Sequence, residues 1–149
     1  MEYTLKKSLG QHFLKDENIC RQIIDLVLDE KPLQLLEVGP GAGALTKYLL
    51  EFKELDFKAI ELDKEKIDYL QQTYPAIKGK LIHQDILNAD IPFEGQFMLL
   101  GNFPYNISTQ ILFKVLNWKD QVDCVVGMFQ KEVAQRIASK EGNKSYGIL

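Results

Sequence analysis

Apolar residues recur along this chain with two alternating periods, and the alternation predicts the fold. After Asp16 or Glu17, residues Ile19, Cys20, Ile23, Ile24, Val27 and Leu28 fall on one face of a helix that Lys31-Pro32 ends. Short apolar runs of strand length follow near Gln34–Val38, Phe57–Leu62, Lys80–Gln84, Gln96–Leu100 and Val122–Phe129. Helical spacing separates them near Ala44–Phe52, Lys64–Tyr74 and Thr109–Asn117, and returns at Lys131–Ser139. Short apolar strands joined through helices imply right-handed βαβ crossovers, and so an α/β, Rossmann-like parallel sheet flanked by helices. Residues 1–15 read as an extended basic arm. No internal repeat, low-complexity tract or linker divides the chain, so 1–149 is expected to be one domain.

Ligands of open α/β sheets bind outside the carboxyl ends of the strands, so the residues placed there carry the functional signal. The first strand runs into Glu37-Val38-Gly39-Pro40-Gly41-Ala42-Gly43 and then Ala44–Leu50, which reads as strand, glycine loop, helix. Glycines let the backbone approach a ligand, and the helix behind them offers N–H groups to polar ligand atoms. Gly39-x-Gly41-x-x-Ala44 also fits a dinucleotide fingerprint, so the loop alone leaves a nicotinamide cofactor open. Glu61, 22 positions after Gly39, sits where a carboxylate can accept both hydroxyls of an adenosine ribose. A solvated strand-end glutamate is the plainer alternative. Asp85-Ile86, after the third strand, offers a carboxylate for an exocyclic amine beside an apolar wall for a purine; a lone Asp here also suits a turn or an N-cap.

The fourth strand leads into Gly101-Asn102-Phe103-Pro104-Tyr105. The Asn102 amide can hold a base by its edge and Tyr105 by its face. Pro104 fixes its own φ and pushes Phe103 toward an extended conformation, which aims the nearby carbonyls. That is a receptor for a flat amine, although a proline turn with a buried tyrosine fits the pentapeptide taken alone. Together Gly39, Glu61, Asp85 and Asn102 stand at successive strand ends and converge on one crevice.

These segments, with Gly10-Gln11-His12-Phe13-Leu14, Tyr105-Asn106-Ile107-Ser108 and Gln130-Lys131-Glu132-Val133-Ala134, occur in the order and spacing of ribosomal RNA adenine dimethyltransferases. The chain resembles that family over almost its whole length. It is most similar to the branch that dimethylates two adjacent adenines in a small-subunit rRNA hairpin. The Gly10–Leu14 start and the Tyr105–Lys114 run favour this branch over a sister branch acting on large-subunit rRNA. Phe103 departs from the Leu or Ile usual in the family.

The resemblance implies a methyltransferase that uses S-adenosylmethionine and methylates adenine N6 directly. It sets His12 and Leu14 of the arm, Gly39, Gly41, Glu61, Asp85 and Asn102 against the cofactor: Glu61 on the ribose, Asp85 on the adenine amine, Asn102 near the methionine end. It makes Asn102, Pro104 and Tyr105 the catalytic residues, two oxygens accepting hydrogen bonds from the target amine and a ring stacking on the extruded base. The expected partner is small-subunit rRNA or an immature small subunit, bound by a monomer. The family continues beyond Leu149 with further strands, a Phe-bearing motif and a small helical domain, so the chain is expected to be partial, its sheet incomplete and the fragment inactive by itself. A nicotinamide-dependent oxidoreductase shares the loop and Glu61 but gives Asn102–Tyr105 no task. A noncatalytic ribosome-assembly or transcription accessory relative has no need of an intact Asn102, Pro104 and Tyr105.

Composition narrows this reading. With 149 residues, 46% of them hydrophobic, the chain can bury the core of one domain. No apolar run reaches membrane-spanning length and the start lacks a signal-peptide core, which points to the cytoplasm and no membrane partner. Cys20 and Cys124, with only His12 and His83, form no metal framework; both cysteines are expected as reduced core residues and no metal is expected. A net charge of −3 argues against a surface that grips RNA all round. RNA contacts are therefore expected to be local or to lie in sequence beyond this chain; Lys6, Lys7, Lys15 and Arg21 near the arm and Lys131 and Arg136 are candidates, with an ordinary solvated basic terminus as the plainer alternative.

Overall fold

The computed structural model describes residues 16–103 and 107–128. Asp16 caps the first helix, α1 (Glu17–Asp29), by accepting the Asn18 N–H at 2.9 Å. Then come β1 (Gln34–Val38), α2 (Thr46–Leu49), β2 (Asp56–Glu61), α3 (Lys64–Thr73), β3 (Leu81–His83), β4 (Phe97–Asn102), α4 (Ser108–Asn117) and β5 (Val122–Met128). Short 3₁₀ turns at Pro75–Ile77 and Ile86–Asn88 flank β3.

The five strands pair in parallel in the order β3-β2-β1-β4-β5. From β1 the chain winds outward through β2 and β3, then returns to the other side of β1 as β4. The winding direction reverses between β1 and β4, which opens a crevice above their carboxyl ends.

Alternation along the strands feeds two cores. Leu35, Phe57, Ala59, Met98 and Leu100 face Cys20, Ile24 and Val27 of α1 together with Leu45, Leu49 and Leu70. Leu36, Val38, Ile60, Phe97 and Leu99 face the other way, onto Ile86, Phe93, Ile111 and Trp118. Residues Leu35, Leu36, Leu99 and Leu100 are all fully buried, as expected for central parallel strands covered on both faces. Burial pushes the Cys20 and Cys124 thiols above their ordinary range.

Several predicted boundaries move. The helix expected over Ala44–Phe52 contracts to Thr46–Leu49, because Gly43 turns the chain at φ +88° and the flanking N–H groups of Tyr48, Glu51 and Phe52 bond three residues back instead of four. The third strand shortens from Lys80–Gln84 to Leu81–His83. The fourth shifts from Gln96–Leu100 to Phe97–Asn102, so Gly101 and Asn102 belong to the sheet and not to the connection after it. The arm 1–15, the helix expected at Lys131–Ser139, Phe129, and the site candidates His12, Leu14, Pro104 and Tyr105 lie outside the described residues, as do Lys6, Lys7, Lys15, Lys131 and Arg136.

Candidate functional site

Strand register brings the candidates into line. Val38 is opposite Ile60 on one side and Gly101 on the other, and Glu61 is opposite His83. One step further along, Gly39, Glu61, His83 and Asn102 form a single row across the carboxyl edge, and Asp85 follows two positions beyond His83. The predicted convergence of Gly39, Glu61, Asp85 and Asn102 therefore holds in the backbone. Gly39 is tied into the row by its N–H, which donates to the Ile60 carbonyl at 2.9 Å.

The loop glycines do different jobs. All three adopt positive φ, +67° at Gly39, +59° at Gly41 and +88° at Gly43, a region costly for residues with a Cβ. A Cβ at Gly39 or Gly41 would meet nothing within 4 Å, so both face open space from which a ligand can reach the main chain. At Gly43 a Cβ would lie 2.5 Å from the Tyr74 ring, so this glycine serves the packing of α2 against the end of α3.

Glu61 is 7% exposed. Its Oε2 accepts the N–H groups of Leu62 at 2.9 Å and Asp63 at 3.0 Å, which fixes the carboxylate at the strand end. Its Oε1 is buried and has no hydrogen-bond partner among the described residues. A buried oxygen left so costs about 1–3 kcal/mol, more when charged, unless something donates to it. Ribose hydroxyls are donors of the right kind, and the open floor at Gly39 lies beside it in the row. Nicotinamide and adenosyl cofactors both fit this half of the site.

Asp85 is half-buried, and its Oδ1 accepts the Leu87 N–H at 3.0 Å. It is an N-cap, as the plainer reading held. Ile86 beside it is buried and supplies the expected apolar wall.

Asn102 ends β4 with its side-chain oxygen shielded from solvent. Beneath it Phe103 is 2% exposed, so the bulkier residue is absorbed into the core and leaves Asn102 in the row. Arg21 is exposed on α1.

Sequence reasoning missed three contributors. Glu37, read only as the residue leading into the loop, is buried and accepts a hydrogen bond from the Thr46 hydroxyl at 2.5 Å. His83 Nε2 bonds the Leu62 carbonyl at 2.9 Å and so braces the chain directly after Glu61. Glu17, the first residue of α1, pairs with Lys47 at 2.6 Å and accepts the Tyr48 hydroxyl, which ties α1 to α2 behind the glycine loop. The Lys47 hydrogen bond is the main reason the Glu17 carboxyl titrates below its ordinary range. A polar residue inside an apolar strand was the available signal for Glu37; the other two depend on tertiary approach. Among the described residues no group of three His, Cys, Asp or Glu side chains is placed to hold a metal ion, and no helix is long and apolar enough to cross a membrane.

The family described as Ribosomal RNA adenine dimethylase matches residues 2–149. The chain belongs to the ribosomal RNA adenine dimethylase family. Relatives in it named Ribosomal RNA small subunit methyltransferase A include one from Parabacteroides distasonis, 53% identical over 97% of this chain and 54% of its own length. Another, from Cytophaga hutchinsonii, is 51% identical over 96% of this chain and 57% of its own. The chain thus spans about half the length of the curated relatives it matches. Among solved structures, the 23S rRNA methyltransferase ErmE superposes with a TM-score of 0.70 at 25% identity, covering 87% of this chain and 52% of ErmE. A dimethyladenosine transferase from Plasmodium falciparum gives 0.66 at 27% identity over 82% of this chain and 44% of its own.

Proposed function

We propose that this chain is the cofactor-binding and methyl-transferring part of an enzyme that methylates N6 of two adjacent adenines in a small-subunit rRNA hairpin, with S-adenosylmethionine as methyl donor. The observation that carries this reading is the buried Glu61 Oε1 in need of a donor, set in one row with the open Gly39 and with Asn102. When bound, the donor supplies a methyl group on a sulfonium, already a good leaving group, so the protein's share is orientation and electrostatics.

Glu61 would take the ribose hydroxyls. Asp85 spends one oxygen on its cap and would offer the other to the adenine amine, with Ile86 as the wall of that pocket. Gly39 and Gly41 would bring main chain to the ligand, and Asn102, on the far side of the row, would approach the methionine end. His12 and Leu14 would contact the ligand from the arm. The Asn102 side-chain oxygen and the Pro104 carbonyl would accept the two hydrogens of the target amine and draw its lone pair out of conjugation with the ring. Tyr105 would stack on the extruded base. The expected setting is a cytoplasmic monomer acting on small-subunit rRNA.

The test places residues 1–149 in the Parabacteroides distasonis relative in place of its matching half and incubates the chimera with immature small subunits and radiolabelled S-adenosylmethionine. Methylation of adenine is expected, with single-turnover rates falling far more for Asn102→Ala than the roughly 1–3 kcal/mol of lost stacking expected for Tyr105→Ala. A chimera that binds the donor but labels no adenine, or an Asn102→Ala rate within twofold of its parent, overturns the proposal.

A further inference from the structure

Glu37 is a carboxyl in the wrong place for a merely structural residue. It lies in the middle strand of the sheet, on the same face as Leu35, with Ala59 and Leu100 as its partners in register on either side. It is 2% exposed. Among the described residues its side-chain hydrogen bond crosses the base of the glycine loop: the Thr46 hydroxyl, at the start of α2, donates to Oε1 at 2.5 Å. The bond ties the carboxyl end of β1 to the first residue of α2 and so fixes both ends of the segment that contains Gly39, Gly41 and Gly43.

We propose that Glu37 is a positioning residue whose carboxyl holds the glycine loop in its ligand-ready form through Thr46 and gives up a proton when a cationic cofactor fills the crevice. This rests on the S-adenosylmethionine reading above.

The physical basis is burial combined with a like-charged neighbour. Desolvation raises the Glu37 carboxyl most, the Thr46 hydrogen bond opposes this and the neighbouring Glu61 adds to it, which together bring it to about 7. Around Glu37, α2 presents the uncharged Thr46, β4 the apolar Leu100, and β2 contributes Glu61 as the charged group facing it. The two carboxyls are thus brought together, and burial favours the protonated form of Glu37. A ligand with a sulfonium brings positive charge to this pair and favours the ionised form of Glu37. By linkage, affinity for such a ligand rises with pH through the titration of Glu37, tenfold for each pH unit by which the ligand displaces that titration. S-adenosylhomocysteine, which lacks the sulfonium charge, gives a flatter profile.

The test is calorimetric titration of the chain with S-adenosylmethionine and S-adenosylhomocysteine from pH 5.5 to 7.5, in buffers of different ionisation enthalpy. Wild type is expected to release protons on binding S-adenosylmethionine and to bind it roughly tenfold tighter at the upper end of the range. Glu37→Gln, which keeps an acceptor for Thr46, is expected to abolish both effects while still binding. Thr46→Val, which keeps the carboxyl but removes its tie to α2, is expected to weaken both ligands alike. Binding that is independent of pH in wild type, or a pH profile unchanged in Glu37→Gln, overturns the proposal and leaves the cofactor reading intact. Absence of any binding by wild type overturns the cofactor reading instead.

Discussion

Phe103 folds its ring back against Gly101 so closely that a Cβ at position 101 would lie 2.7 Å from ring atom Cε1 and 2.7 Å from the Val38 carbonyl oxygen. The glycine before Asn102 is thus a requirement of packing, set by one flexible neighbour and one rigid one. Gly101→Ala is expected to destabilise the protein by about 1–3 kcal/mol, the usual cost of overpacking. In Gly101→Ala/Phe103→Leu the ring no longer clashes but the Val38 carbonyl still does. Chemical denaturation should show partial recovery in the double variant, with a coupling energy between the sites. Strict additivity would mean that the two residues do not interlock.

Gly41 should behave differently, since a Cβ there enters open space. Gly41→Ala incurs the left-handed strain alone, about 1–2 kcal/mol. The methyl group projects into the region assigned to the ligand, so affinity for S-adenosylhomocysteine should fall at least tenfold in a protein that remains folded. Loss of stability with unchanged affinity would place the ligand elsewhere.

Glu37 makes stability depend on pH in a direction opposite to that of most carboxylates. Its folded value is raised from 4.5 to about 7, so between these two values the folded state holds a proton that the unfolded state has lost. Stability from this group is full below the lower value and falls as pH rises toward the upper one. The upper limit is about 3 kcal/mol, from 1.36 kcal/mol per pH unit. Glu37→Gln carries no such charge. Relative to wild type it should be near neutral at pH 4.5 and more stable at pH 8, measured by urea denaturation at both pH values. A constant difference between the two would remove Glu37 from the titration.

The frame of the site was legible in the sequence because it follows from chain direction. Apolar runs gave the strands, and in a parallel sheet their ends share one edge, which is why Gly39, Glu61, Asp85 and Asn102 could be assigned to one crevice. Local competition was harder to read. Gly43 and the tight turns around Thr46 shorten a helix whose apolar spacing extends further, and strand pairing with β1 and β5 carries β4 two residues past its apolar run. The hydrogen bond from Thr46 to Glu37 spans nine positions and forms only once α2 is set against β1, so no local pattern announces it.

The central claim is that Glu61 receives the ribose of an adenosyl cofactor, and one titration tests it. Purified wild type and Glu61→Ala are titrated calorimetrically with S-adenosylhomocysteine, with circular dichroism confirming that both are folded, and wild type is also titrated with NADH. One-site binding of S-adenosylhomocysteine by wild type is expected, with no binding of NADH. Loss of the charge-assisted contact to the ribose hydroxyls should cost on the order of 2 kcal/mol or more, a weakening of roughly thirtyfold in Glu61→Ala. Affinity within twofold of wild type in a folded Glu61→Ala protein, or NADH binding in place of S-adenosylhomocysteine, would contradict it.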